Sequence, residues 1–391
     1  MPGHRSGVAQ GERMSIRQSR YRVLNDEGAR IGRCGSDVMT PRLFVKRIAL
    51  VLVAHALAGC GHGSSGGAPP AVDGSRPIDE SRYVRIGGID QWITIKGAHR
   101  SNPIILFVHG GPGNAMSPFA DQVYGADWKE RFTLVQWDQR GAGRTYGKSG
   151  PSIESTMTIE RMVQDGIEVT QFVERRLQRN KIILTGGSWG SMLGALMVEA
   201  RPDLYCAWVA TSQMVAIERN FAASYPRVLE AARAAGNTKA VDELTAVGPP
   251  PWTSLRHAGT LLRWARILEP KTAAAFDVET SPEYASKQED ADRAAADDFS
   301  FAHFFGMTLS GPIMDVDLLA VGAKLDVPVV IIHGENDLKA TPELARAYFD
   351  GIEAPRKQFI LAPDTGHEPS LTSMRLMRRV LDETVAPLCG R

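Results

Sequence analysis

From Lys181 the chain reads KIILTGGSWGSMLGALMVEARPDL, a stretch that leaves few folds open. KIILT is short, apolar and β-branched, the composition of a buried strand, and MLGALMVEARPDL reads as a helix. Between them Ser188 is boxed by Gly186, Gly187 and Gly190. The spacing G-x-S-x-G supplies a reason for its glycines: a serine on a sharp strand-to-helix turn sits in strained backbone with its neighbours packed close. A plain glycine-rich turn has the same local appearance, so the surroundings must decide.

Those surroundings alternate strand and helix signals from Tyr83 onward. YVRIGG and QWITIKG read as an initial hairpin, PIILFVHG as a fully buried strand and TLVQWDQRG as another. TIERMVQDGIEVTQFVERRL then sets Ile159, Met162, Val163, Ile167, Val173 and Leu177 on one helical stripe, with Thr158 as its N-cap. This rhythm predicts an α/β fold: a mostly parallel sheet with helices on both faces. From about residue 213 to 312 the strand runs stop, and VLEAARAAG, LLRWARIL and DADRAAADDFSFAHFF favour helices. Strands return at VPVVIIHGEND and QFILAPDTGH. The expected body is therefore a core in two parts, residues 83–212 and 313–391, interrupted by a helical cap over residues 213–312.

A serine hydroxyl is a poor nucleophile until a base takes its proton, and an imidazole base works best when a carboxylate fixes its tautomer. Asp337 follows the strand VPVVIIH and His367 follows QFILA, both downstream of Ser188 in the order this fold requires. Glu335 competes with Asp337, but lies closer to the strand end. HGGPG, residues 109–113, follows PIILFV where an oxyanion would need backbone donors, and the N–H groups of Gly111 and Trp189 are the candidates. His109 reads as a structural hydrogen-bond partner and His303 as a packed histidine of the cap or a pocket residue. Trp252, Trp264 and Phe304 read either as pocket walls or as core. Together these elements predict a Ser188, Asp337, His367 hydrolase of the α/β-hydrolase fold, needing no cofactor or metal.

The 391 residues are 43% hydrophobic, enough to bury a full core, and the formal net charge is +1. Residues 1–47 hold ten basic and four acidic side chains, so the remainder is net acidic and offers nothing to a nucleic acid. MTPRLFVKRIALVLVAHALAGC, from Met39, has the layout of a secretory signal, with an apolar run too short to span a bilayer. Its closing LAGC resembles the lipobox of bacterial lipoproteins and marks Cys60 for lipidation, with ordinary cleavage after Ala58 as the alternative. Residues 1–59 are then an upstream extension and signal peptide, and residues 60–82 a lipidated cysteine and a flexible Gly/Ser/Pro-rich tether. The expected location is the periplasmic side of the outer membrane by lipid anchor, or the soluble periplasm. Only Cys206 and Cys389 remain in the body, where a single disulfide is possible.

HGGPG, WDQRGAGRT and GGSWGS together resemble the proline iminopeptidases (prolyl aminopeptidases). The resemblance runs from about residue 83 to the end, and WDQRG, Trp137 to Gly141, is its most specific part. It implies removal of an N-terminal residue, typically proline, with the free amine held by acidic side chains of the cap. Glu269 in LLRWARILEP is the implied amine-binding carboxylate, although Leu268 stands where the family has tryptophan. Phe301 replaces the family's second glutamate, with Asp297 and Asp298 one turn away. The substrate is thus a small peptide, amide or ester. An aminopeptidase, a carboxylesterase or lipase-like acyl hydrolase, and a noncatalytic binding protein on this fold are the function classes left open.

Overall fold

A computed structural model describes residues 75–269, 278–321 and 324–389. The upstream extension, the signal-like segment, Cys60 and most of the tether lie outside the described residues. The body begins with β1 (Ile78–Ile86), so Tyr83 falls inside a strand rather than at the start of one. β2 (Ile89–Gly97) returns antiparallel to it across Gly87 and Gly88. β3 (Ile104–Val108), α1 (Ala120–Arg131, broken at Gly125), β4 (Thr133–Asp138) and α2 (Gly143–Ser149) follow. Next come α3 (Ile159–Leu177), β5 (Ile182–Gly187), α4 (Trp189–Ala200) and β6 (Tyr205–Thr211).

The cap is the insertion after β6: α5 (Ile217–Ala234), α6 (Thr238–Val247), α7 (Leu255–Leu268), α8 (Lys287–Phe305) and α9 (Leu318–Val321). β7 (Val329–Gly334), α10 (Pro342–Gly351), β8 (Lys357–Ala362) and α11 (Leu371–Val380) complete the core. The eight strands lie in the order β1-β2-β4-β3-β5-β6-β7-β8, antiparallel at the β1–β2 and β2–β4 pairs and parallel from β4 to β8. The architecture is the α/β-hydrolase fold.

Successive strand residues point to opposite faces, and each face has its own core. Ile104, Leu106 and Val108 of β3 join Leu184, Trp208 and Ile331 beneath α3 and α4. Ile105 and Phe107 join Ile183, Val209 and Val330 with α1 and α11. Each such side chain contributes about 1.5–3 kcal/mol by its removal from water. α3 forms where its periodic stripe predicts, and the Thr158 side chain accepts from the Arg161 N–H as its cap.

A buried ion pair fixes the loop after β4. Arg140 Nε donates to Asp165 Oδ2 at 2.8 Å, and the Arg140 and Asp165 side chains are 1% and 0% exposed. Arg140 Nη2 also donates to Gly87 O, and Gln91 Nε2 to Asp165 Oδ2, so the pair's polar atoms are shared among three elements. Removing one partner of such a pair costs about 3–5 kcal/mol. Cys206 and Cys389 form a disulfide that ties the end of the chain to β6, 183 residues away in sequence.

Candidate active site

Ser188 sits between β5 and α4 with φ +55°, a left-handed conformation that a non-glycine residue adopts only when its surroundings enforce it. The glycines explain how. A Cβ on Gly186 would lie 2.3 Å from Gly190 O, and one on Gly190 would lie 2.0 Å from Val108 O. Neither contact is tolerable, so the strand and helix close this tightly only with hydrogen at both positions. The Ser188 side chain is thereby raised from the turn, at the C-terminal ends of the parallel strands where open sheets bind ligands.

His367 and Asp337 converge on it. His367 Nε2 lies 2.9 Å from Ser188 Oγ, and His367 Nδ1 lies 2.9 Å from Asp337 Oδ2 and 3.0 Å from Oδ1. Asp337 Oδ1 also accepts from the N–H groups of Lys339 and Ala340. Burial favours a neutral Asp337, but the imidazole of His367 and its hydrogen bond hold the carboxyl below its ordinary pKa. Burial likewise opposes protonation of His367, and the Asp337 carboxylate more than offsets it, raising the imidazole above 6.5. His333, next to Asp337, stays neutral: burial depresses it, Nδ1 accepts from Gln213 N and Nε2 donates to Ala340 O. Glu335 is exposed, whereas Asp337 is fully buried.

The glycine-rich loop after β3 lies against the elbow: a Cβ on Gly110 would be 3.5 Å from Ser188 Cβ. Trp189 opens α4, where the first N–H groups of a helix have no intrahelical acceptor. The loop that carries Gly111 and the start of α4 at Trp189 thus both adjoin Ser188, as donors to an oxyanion would have to. His109 is a structural partner. Its Nε2 accepts from Gln139 N, its Nδ1 donates to Gly110 O, and burial pushes its pKa down to about 4.

Gln139 is a residue whose part sequence reasoning missed. Its Nε2 donates to His109 O at 3.0 Å and its Oε1 accepts from Trp189 Nε1 at 3.0 Å, joining the two backbone segments that flank Ser188. The rest of WDQRG is equally committed: Trp137 Nε1 donates to Gln91 Oε1, and Asp138 accepts from Ser117 Oγ and Arg144 N. The motif was visible, but nothing local in it says what each side chain reaches.

The cap closes over this loop through α8. Ser300 Oγ donates to Gly141 O, Phe304 packs on Trp189 with ring centroids 5.3 Å apart, and Gly113 has room for no more than hydrogen against Ala296 and Ser300. His303 Nε2 meets Met157 O, and Phe301 packs on Phe305. Trp252 lies among Phe221 and Tyr225, and Trp264 Nε1 donates to Glu243, so both tryptophans belong to the cap's own packing. Asp298 is exposed. Asp297 keeps a buried Oδ1 that has no hydrogen-bond partner among the described residues, and burial raises its pKa to about 7.

Glu269 is placed differently from an open amine anchor. It is buried at the end of α7, with Oε1 accepting from Leu338 N and Oε2 from His367 N, both at 3.0 Å. The expectation that it reaches out to a substrate amine gains no support from these contacts, because both oxygens already serve the loops that carry Asp337 and His367.

Similar proteins share this frame. The probable aminopeptidase YbaC of Bacillus subtilis (strain 168) is 28% identical over 320 residues, covering 77% of this chain and 94% of that one. A proline iminopeptidase of Neisseria gonorrhoeae is 27% identical over 123 residues, 32% of this chain and 36% of its own. In three dimensions, the Mycobacterium smegmatis proline iminopeptidase superposes with a TM-score of 0.58 at 20% identity, covering 79% of this chain and 98% of that one. A proline iminopeptidase-related protein of Thermus thermophilus gives 0.54 at 18%, covering 80% and 99%. These last two likenesses concern the fold. The profile of the family described as serine aminopeptidase, S33, matches residues 99–371, more than half of the sequence, and the chain is a member of that family of α/β-hydrolases.

Proposed function

We propose that this protein is a serine hydrolase that removes N-terminal residues, proline or other apolar ones, from short peptides or amino-acid amides through an acyl-enzyme. The observation that carries this reading is the continuous hydrogen-bonded run from Ser188 Oγ through His367 to Asp337. His367 Nε2 takes the Ser188 proton as Oγ attacks the substrate carbonyl carbon, and the new oxyanion faces the N–H groups of Gly111 and Trp189. The imidazolium, stabilised by Asp337, gives its proton to the leaving amine as the C–N bond breaks. Water, deprotonated by the same imidazole, then cleaves the ester and restores Ser188.

Asp297 is the carboxylate best suited to meet the substrate ammonium. Its buried Oδ1 lacks a partner among the described residues, and its Cα lies where a Cβ on Gly113 would touch it, on the cap helix above the oxyanion loop. An incoming ammonium would supply the missing charge. Phe301 in place of a second carboxylate leaves an apolar wall with Phe305, which favours broad acceptance of apolar first residues. The same wall favours the second reading, a carboxylesterase, since an uncharged acyl group would fit it.

The test is a panel of aminoacyl naphthylamides against short and long acyl esters, with Ser188→Ala as control. Naphthylamide cleavage that Ser188→Ala lowers on the order of 10⁶-fold is the expected result. Brisk ester hydrolysis without it would transfer the protein to the esterase reading, and fluorophosphonate labelling that persists in Ser188→Ala would remove the nucleophile assignment. We further propose export and lipidation at Cys60, for which the Cys206–Cys389 disulfide gives support, because such bonds persist in oxidising compartments.

A further inference from the structure

We infer that Glu269 is a positioning residue of the cap, one carboxylate that sets the spacing between the loop carrying Asp337 and the loop carrying His367. The inference rests on the serine-hydrolase reading of Ser188, but on no choice of substrate.

Glu269 is separated from Leu338 by 69 residues and from His367 by 98, yet it accepts one amide N–H from each, through a different oxygen. Leu338 directly follows Asp337 and His367 is the base itself. Buried amides need acceptors, and a carboxylate with one oxygen for each holds the two donors at the distance of its own two oxygens. Close approach is built in at Gly366, where a Cβ would lie 2.6 Å from Glu269 Oε2. An ion pair between Lys339 and Glu368 joins the same two loops at a second place. The spacing of acid and base is thus set by the residue that ends α7, outside both loops.

The charged groups that act on Glu269 are His367, Asp337 and Lys339, while Glu368 faces Lys339 and His367, and His333 faces Asp337. A carboxylate beside His367 favours the imidazolium. Glu269→Gln removes that charge and turns an NH2 group towards one of two N–H donors, so one amide loses its acceptor. The imidazole should then shift relative to Ser188 and should deprotonate at lower pH.

Ser188 labelling by a fluorophosphonate reads the triad without any substrate recognition. It would be followed in the full chain across pH, beside hydrolysis of one aminoacyl naphthylamide and one uncharged ester. For Glu269→Gln we expect labelling and both kcat values to fall by similar factors, on the order of 10²-fold as for a misplacement of about 1 Å, with KM little changed. The acid limb of the labelling profile should also move to lower pH. Labelling at the wild-type rate, with a loss confined to the charged naphthylamide, would make Glu269 the amine anchor and overturn the inference. Should Glu269→Gln fail to fold by circular dichroism, Glu269→Asp serves: its carboxylate is one methylene too short to reach both amides, so slowed labelling supports the bridge and unchanged labelling overturns it. A wild-type protein that is not labelled at all would overturn the reading of Ser188 and this inference with it.

Discussion

At the scale of single residues, Asp337 and Glu335 are two positions apart and have opposite fates. Asp337 is fully buried against His367, and Glu335 is exposed. Asp337→Asn should therefore lower turnover by roughly 10⁴, because the imidazole loses the partner that fixes its tautomer, and Glu335→Gln should leave it unchanged. Steady-state kinetics on one ester decide the matter, and the reverse ranking would exchange the two roles. The sign of the pH dependence follows as well. A base role for His367 requires the neutral imidazole, and Asp337 raises its pKa, so on the proposed mechanism turnover should fall as pH drops through a value above 6.5. In Asp337→Asn the residual activity should persist to lower pH. Ser188, Asp337 and His367 were legible in sequence because each follows a recognisable strand. Gln139 and Ser212, whose Oγ donates to His367 O, were not, since their partners lie 30 to 155 residues away. Glu269 was singled out through resemblance, and what the sequence could not give are the two amides it accepts from, at Leu338 and His367, 69 and 98 residues away.

Among the elements, α8 carries the clearest functional demand. Asp297 gains its negative charge only as pH rises through about 7, because burial disfavours the ionised form. If it meets the substrate ammonium, KM for an aminoacyl amide should rise as pH falls below about 7, while KM for an uncharged ester stays flat. Asp297→Asn should raise the first KM at neutral pH and spare the second. The stability effect has a definite sign too: a carboxyl whose folded pKa is raised costs stability above that pKa, so at alkaline pH Asp297→Asn should melt no lower than the wild type. A parallel rise in both KM values would assign Asp297 to the fold instead. Strands such as β3, β5 and β7 were readable as apolar runs, and α3, α7 and α8 contain the stretches that favour helix. α1 and α2 were not readable. α1 has no amphipathic stripe and is broken at Gly125, and α2 is a short segment held by Asp138 and by α8 rather than by its own pattern. Such segments are helical because of what surrounds them.

For the whole molecule, the link between Cys206 and Cys389 should be felt as thermal stability. A native cross-link of this kind contributes about 2–5 kcal/mol, so dithiothreitol should lower the melting temperature, and Cys206→Ser should reproduce the reduced value without further response to the reagent. An unchanged melting temperature would mean that the bond is not formed in solution. The proposed lipid anchor is tested separately: if Cys60 is lipidated, Cys60→Ala should shift the protein from the detergent phase to the aqueous phase in a detergent phase-partition assay, or block its processing. A mature soluble protein beginning at Gly59 would instead establish cleavage after Ala58.

The same disulfide has a topological result. It closes a covalent ring from residue 206 to residue 389 that contains the whole cap, Asp337 and His367, while Ser188 lies outside on the stem. A protease that nicks any one peptide bond within the ring opens it without releasing a fragment. A nicked enzyme would therefore run as an intact chain on a non-reducing gel and as two pieces on a reducing one. Serine, histidine and aspartate would remain parts of one molecule, so a single cut within the cap would leave all three covalently joined.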